Sequence, residues 1–212
     1  MVTLLGDGPS DRCLLEPLRW RIRAWLQAGN REAEFTTQFA NGPGVVEVKI
    51  GRALESFPAD LLVVHRDAEG QPADDRRREI EAGADACPEA PPIVCMVPVR
   101  MTEAWLLFDE RAIRLAADNP NGTVPLSLPR AADGDTDPKT TLSRALEQAA
   151  EKRGRRLKRF KERLSRRRLR VAEHVADYEP LRQANPDFAR FCDDLDAALE
   201  RWWEEESESP DQ

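Results

Sequence analysis

Leu61-Leu62-Val63-Val64-His65-Arg66-Asp67-Ala68-Glu69-Gly70 is the stretch that decides the fold. Four apolar residues without polar alternation, stopping at a charged turn, have the character of a strand buried on both faces, and such strands belong to parallel sheets. Upstream, Val2 to Leu5 is a second short apolar run, ended by Gly6-Asp7-Gly8-Pro9-Ser10. Ser10 or Asp11 is placed to cap the next helix, whose apolar residues Leu14, Leu15, Leu18, Ile22, Trp25 and Leu26 recur at helical spacing until Gly29-Asn30. Glu34 to Ala40 predicts a further strand, and Val46, Ile50, Ala53, Leu54 and Phe57 an amphipathic helix closed by Pro58. Downstream, a charged helix from about Ala73 to Ala86 precedes Pro91-Pro92 and the run Ile93 to Val97. Strand and helix alternate, which predicts an α/β fold with a mainly parallel sheet flanked by helices.

The second half reads as a C-terminal all-helical extension. Thr102 to about Ala117 has helical spacing, and Asn119 to Asp137 is a loop rich in Pro, Gly and Asp. Beyond Pro138 come the Leu142/Leu146/Ala149 stripe, a basic stretch, and a last helix with Phe188, Phe191, Leu195, Leu199 and Trp202 on one face. This divides the chain into an α/β core (1–117), a helical extension packed on it (118–203) and an acidic tail (204–212), which without an apolar anchor is expected to be disordered.

With 212 residues, 41% apolar and 33% charged, the chain has material for one core under a strongly charged surface. No apolar run approaches the ~18 residues of a membrane span, and the N-terminus lacks the basic start and long apolar stretch of a signal peptide. A soluble, cytoplasmic protein that does not engage a membrane is expected. Cys13, Cys87, Cys95 and Cys192 form no C-x-x-C pair and read as reduced packing thiols. His65 and His174 are the only histidines, which argues against histidine-rich zinc sites and places any chemistry on carboxylates and basic side chains. The net charge of -7 hides a segregation: residues 151–170 hold twelve Lys/Arg and two Asp/Glu, a local +10, leaving -17 for the remainder.

Ligands of open α/β sheets bind outside the carboxyl ends of the strands. Asp7 follows the first strand there, Asp67 and Glu69 follow the central one, and Glu103 opens the helix after the fourth. In an extended segment alternate residues face the same way, so Asp67 and Glu69 can address one ion. Clustered carboxylates repel unless a divalent cation neutralises them, and an oxygen-rich site suits Mg²⁺ or Mn²⁺, which can polarise a phosphodiester. Against this stands the ordinary use of such acids as turn formers, caps and solvated charges.

These residues carry a resemblance. Leu4-Leu5-Gly6-Asp7-Gly8-Pro9-Ser10-Asp11-Arg12 looks like the opening motif of TOPRIM (topoisomerase–primase) domains, and Val63-Val64-His65-Arg66-Asp67-Ala68-Glu69 resembles their Asp-x-Asp segment. Met101 to Asp109, Asp137-Pro138-Lys139 and Arg168 to Leu199, with Tyr178-Glu179-Pro180-Leu181 and Pro186-Asp187-Phe188, resemble a bacterial TOPRIM-like family of unknown function. That family is similar to the nuclease domains of the "overcoming lysogenisation defect" proteins. The resemblance implies a metal-dependent nuclease site in which Asp7 is acid/base or ligand, while Asp67, Glu69 and Glu103 hold Mg²⁺ or Mn²⁺. It also implies a place beside a partner ATPase in phage defence, although this chain carries no ATPase motif. Two positions depart from the pattern: Asp7 stands where Glu is usual, and Glu69 where Asp is usual. Each swap moves a carboxylate by ~1.5 Å, one carbon–carbon bond, a scale to which catalysis is sensitive.

The basic stretch offers Arg155, Arg156, Lys158, Arg159, Arg163 and Arg167 as a surface tracking a DNA or RNA backbone, or as a solvated helix paired with the protein's own acids. Lys139, at the start of a helix, is a candidate to touch the scissile phosphate; as a lone lysine it also fits a plain surface position. Gly6-x-Gly8 lacks the remainder of a nucleotide-binding fingerprint. His65 reads as a satisfied strand-end residue. Trp202-Trp203 fits either a homodimer contact or closure of the chain's own core. Two readings follow: a divalent-metal-dependent nuclease, or a non-catalytic module that binds nucleic acid or a partner ATPase.

Overall fold

The structure, a computed structural model, describes residues 1–99, 101–129 and 135–208. Four strands, β1 (Val2–Gly6), β2 (Thr37–Asn41), β3 (Leu61–His65) and β4 (Ile93–Met96), form an all-parallel sheet in the order β2-β1-β3-β4. Val2 lies opposite Thr37 on one side and Leu61 on the other, and Leu62 opposite Ile93. Every residue of β1 and β3 is buried, Thr3 and His65 included, as the largely apolar runs require of central strands.

The pleat divides these strands between two layers. Leu4, Val63 and Val94 point into a large core shared with α1 (Leu15–Ala28), whereas Leu5, Leu62 and Val64 point towards α2 (Val46–Ser56) and α3 (Ala73–Asp85). The helical half follows as α4 (Glu110–Ala116), α5 (Pro138–Ala150), α6 (Gly154–Lys161), α7 (Leu164–His174), α8 (Glu179–Ala184) and α9 (Pro186–Glu208). It extends the first layer: α9 lies along β4, and its Phe188 ring sits 4.9 Å from that of the buried Trp105. Trp202 packs on Phe35 at 5.1 Å and Trp203 on Trp25 at 6.2 Å, so this end of α9 closes the chain's own core.

Several elements differ from expectation. The helix expected over Thr102–Ala117 is a 3₁₀ turn at Thr102–Leu106 followed by α4, which restarts because Asp109 accepts a hydrogen bond from the Ala112 N–H at 2.9 Å. The basic stretch is split at Glu162-Arg163 into α6 and α7. In the expected disordered tail, Glu204 to Glu208 continue α9, as good helix formers on an established helix do; residues 209–212 lie outside the described residues, as do 130–134 of the predicted loop. No helix among the described residues is long and apolar enough to cross a membrane. All four cysteines are free.

Candidate active site

β1, β3 and β4 end on one edge of the sheet, and the helical half arches over that edge. Between them lies a cavity of about 400 Å³. Its floor is the 3₁₀ turn Pro9–Leu14 after β1, the Asp67 turn after β3 and the turn Thr102–Leu106; its roof is Lys139 of α5 with Arg166, Arg168 and Leu169 of α7.

Asp11 comes into this floor because β1 stops at Gly6 and Pro9 starts a tight 3₁₀ turn. The turn folds the Asp11 carboxylate back beneath the strand end, where Oδ2 accepts the Asp7 and Gly8 N–H groups at 2.8 and 2.9 Å. Ser10 Oγ donates to Oδ1 at 3.2 Å, and the residue is only 7% exposed. Asp67 follows β3 and accepts from the Thr102 N–H at 3.1 Å, which ties the β3 turn to the 3₁₀ turn carrying Glu103. Burial pushes the Asp67 carboxyl up to about 6; the Asp11 and Glu103 charges add to the rise, while His65 and the Thr102 hydrogen bond oppose it. His65, fully buried at the end of β3, faces the Met96 carbonyl through Nδ1 at 3.0 Å. A carbonyl only accepts, so Nδ1 is the protonated nitrogen. Nε2 then lies between two acids, 3.5 Å from Asp67 Oδ1 and 3.8 Å from Asp11 Oδ2.

The roof supplies the opposite charge. Arg168 Nε stands 3.7 Å from Glu103 Oε1, and its Nη1 donates to Ser143 Oγ at 3.2 Å. Lys139 projects from the first turn of α5, which Asp137 caps by accepting the Thr140 N–H at 3.1 Å. One cavity therefore has carboxylates on its floor, cations on its roof, and Cys13, Leu106 and Leu169 as apolar wall. The Cys13 thiol is pushed far up by burial, with Asp11, Glu103 and Asp67 adding to it, so it stays protonated and poorly nucleophilic.

The expected acids are not all brought together. Asp67 and Glu103 line the cavity, but Asp7 and Glu69 do not. Asp7 is held outside by Lys49 Nζ at 2.6 Å from Oδ1 and by Arg66 Nε at 3.0 Å from Oδ2. The extended-chain argument pairing Asp67 with Glu69 lapses because β3 ends at His65 and Glu69 takes a left-handed conformation (φ 53°) beside Gly70 (φ 83°). The Glu69 side chain is 69% exposed and lies 3.9 Å from Arg76 Nη2. Asp11, Arg166 and Arg168 are the residues that sequence reasoning missed as site groups. Asp11 was in plain view, four residues beyond Asp7, but its residue type and position also fit a helix cap.

Asp67 and Glu103 remain the acids that face both the roof cations and the cavity. Among the described residues, no three His, Cys, Asp or Glu side chains are placed to cage a metal ion. Two carboxylates lining one cavity fit a hydrated cation: Mg²⁺ is commonly held by one or two carboxylates, its own waters and substrate phosphate.

The basic residues divide in two. Arg155, Arg156, Lys158, Arg159 and Arg163 are exposed, and none is in an ion pair with an acid among the described residues. Arg167, expected among the nucleic-acid contacts, turns inward: it donates to the Ala116 carbonyl at 2.7 Å and to Asp118 Oδ2 at 2.6 Å, with its guanidinium 4.4 Å over Phe160. The acids of α9 do not neutralise the exposed cations. Asp196 pairs with Arg21, Glu200 with Arg31, Asp194 with Arg77 and Asp193 with Arg182.

A family model described as "Domain of unknown function (DUF4276)" matches residues 9–196. No curated protein and no solved structure matches the chain.

Proposed function

The chain belongs to the DUF4276 family, a domain of unknown function, and from that premise we propose that it is a TOPRIM-like, divalent-metal-dependent nuclease. The observation that carries the reading is a cavity at the carboxyl edge of a parallel sheet, with Asp11, Asp67 and Glu103 below and Lys139, Arg166 and Arg168 above. A phosphodiester between those walls meets cations on its oxygens from one side and, from the other, carboxylates that hold a cation. Mg²⁺ or Mn²⁺, held by Asp67 and Glu103, supplies Lewis-acid polarisation of a phosphoryl oxygen when bound. Lys139 and Arg168 hold the remaining phosphate charge, with Arg168 aligned by Ser143. Asp11 fixes the turn after β1 and adds its charge to the floor. His65, locked by Met96, keeps Nε2 between Asp11 and Asp67, where it can hold a proton next to either carboxylate.

Purified protein incubated with DNA and RNA, single- and double-stranded, in Mg²⁺, Mn²⁺ or EDTA tests this. Cleavage is expected with metal, none with EDTA, and a loss of at least 100-fold in Asp67→Ala, the scale at which a misplaced reacting group is felt. The exposed Arg155, Arg156, Lys158, Arg159 and Arg163, without an ion pair among the described residues, equally support a second reading, a module that binds nucleic acid without cutting it. Salt-sensitive binding with no cleavage in either metal would establish it.

A further inference from the structure

We infer that the substrate form is an unpaired strand, led along α6 into the cavity, rather than an intact duplex; the inference rests on the nucleic-acid reading of the site but not on turnover. The first observation is size. A space of about 400 Å³ is at the scale of small-ligand pockets, whereas the major groove of a duplex alone is about 12 Å wide. Arg166, Arg168 and Leu169 of α7 line the cavity opposite Asp67, so the space for a phosphate set between them suits a thin chain, not the width of a duplex.

The second observation is lining. The lining mixes apolar residues, Met101, Leu106 and Leu169, with charged ones, Asp67, Glu103, Lys139 and Arg168. A single nucleotide has both characters, with a base and sugar for the apolar wall and a phosphate for the cations. A paired base is stacked between neighbours and cannot make that contact without leaving the helix.

The third is the approach. Arg166 is exposed at the cavity rim, and Arg163, Arg159, Lys158, Arg156 and Arg155 precede it along α6 and the turn that joins it to α7. Phe160, the aromatic ring of α6, is buried under Arg167 and Lys152. This run therefore grips phosphates without stacking on bases, which gives an affinity blind to sequence and steep in salt.

The test is binding by the full chain in EDTA, read by fluorescence anisotropy on a labelled single strand of mixed sequence, as DNA and as RNA, and on a blunt DNA duplex of the same length. The single strand is expected to bind at least 10-fold more tightly than the duplex. Replacing Arg155, Arg156 and Arg159 together by Ala, with the melting temperature checked against wild type, is expected to flatten the salt dependence by about 2 in the slope of log K against log [salt], at ~0.7 per lost phosphate contact on a single strand. Equal or tighter binding of the duplex, or an unchanged slope in the triple variant, would overturn the inference. Failure of the nuclease assay leaves both expectations in force, because no cleavage is read here.

Discussion

Asp11 shows how a short turn decides which acid serves a site. Asp7 stands at the motif position, but it follows the strand directly and falls between Lys49 and Arg66; Asp11 comes back beneath the strand end and is buried there. Gly6 makes room for this. A Cβ at that position would lie 2.9 Å from Asp11 Cβ and 3.0 Å from Phe39 Cε2, so Gly6→Ala is expected to displace the Asp11 carboxylate. The expected cost is on the order of 1–3 kcal/mol in urea unfolding, with a fall in cleavage rate larger than the fall in substrate affinity. Asp67 makes a prediction of opposite sign. Its carboxyl is raised to about 6 in the folded chain, above its unfolded value, so its favourable contribution is complete below the ordinary carboxylate range and is lost as pH rises through 6. Asp67→Asn is therefore expected to raise the melting temperature of metal-free protein at pH 8 and to leave it nearly unchanged at pH 4, measured by calorimetry. Asp67 and Glu103 were legible in the sequence because acids at strand ends are where α/β sheets bind ligands. Glu69 misled because strand periodicity was carried four residues past the strand, and Asp11 was hidden by fitting a cap.

At the scale of elements, α7 matters most, since it roofs the cavity and is tied to α4 by polar contacts as well as by Val171 and Ala172 in the core. Arg167 and Arg170 reach Asp118, just beyond α4, and Arg167 also satisfies the Ala116 carbonyl at the end of that helix. The hydrogen bond from Arg167 holds the Asp118 carboxyl below its usual range, with Arg170 adding to it. A depressed acid stabilises the fold above its unfolded value, and that support is lost as pH falls through the folded one. Arg167→Ala should destabilise the protein by roughly 1–3 kcal/mol, because a buried carbonyl loses its donor, whereas Arg159→Ala should stay within about 0.5 kcal/mol. Chemical denaturation of the two variants separates a tether from a free surface cation. Composition alone could not make this division: twelve like residues in twenty have one character on paper, and only the packing of Phe160 and α4 sorts them. The strands were easier to read, since Leu61 to Val64 of β3 is apolar throughout and β1 is broken only by Thr3.

The whole molecule is knit across the boundary expected near residue 117. Phe188, Phe191, Leu195 and Leu199 of α9 share one core with Val63, Val94 and Trp105, so the α/β portion has a face that only the helical half can cover. A fragment of residues 1–117 is expected to lack a cooperative melting transition, while the complete chain melts in one step by circular dichroism. The charge map acts at the same scale. With Asp193, Asp194, Asp196 and Glu200 of α9 bound to Arg182, Arg77, Arg21 and Arg31, and the cations of α6 left open to water, the protein is a lopsided electrical object. A polyanion approaching from most directions is repelled and from one direction is drawn in, so capture is steered by orientation before any surfaces touch. The field reaches about 10 Å in 0.1 M salt. On the proposed function, ionic strength would govern how often an encounter begins with the cavity facing a strand, as well as how long the strand remains.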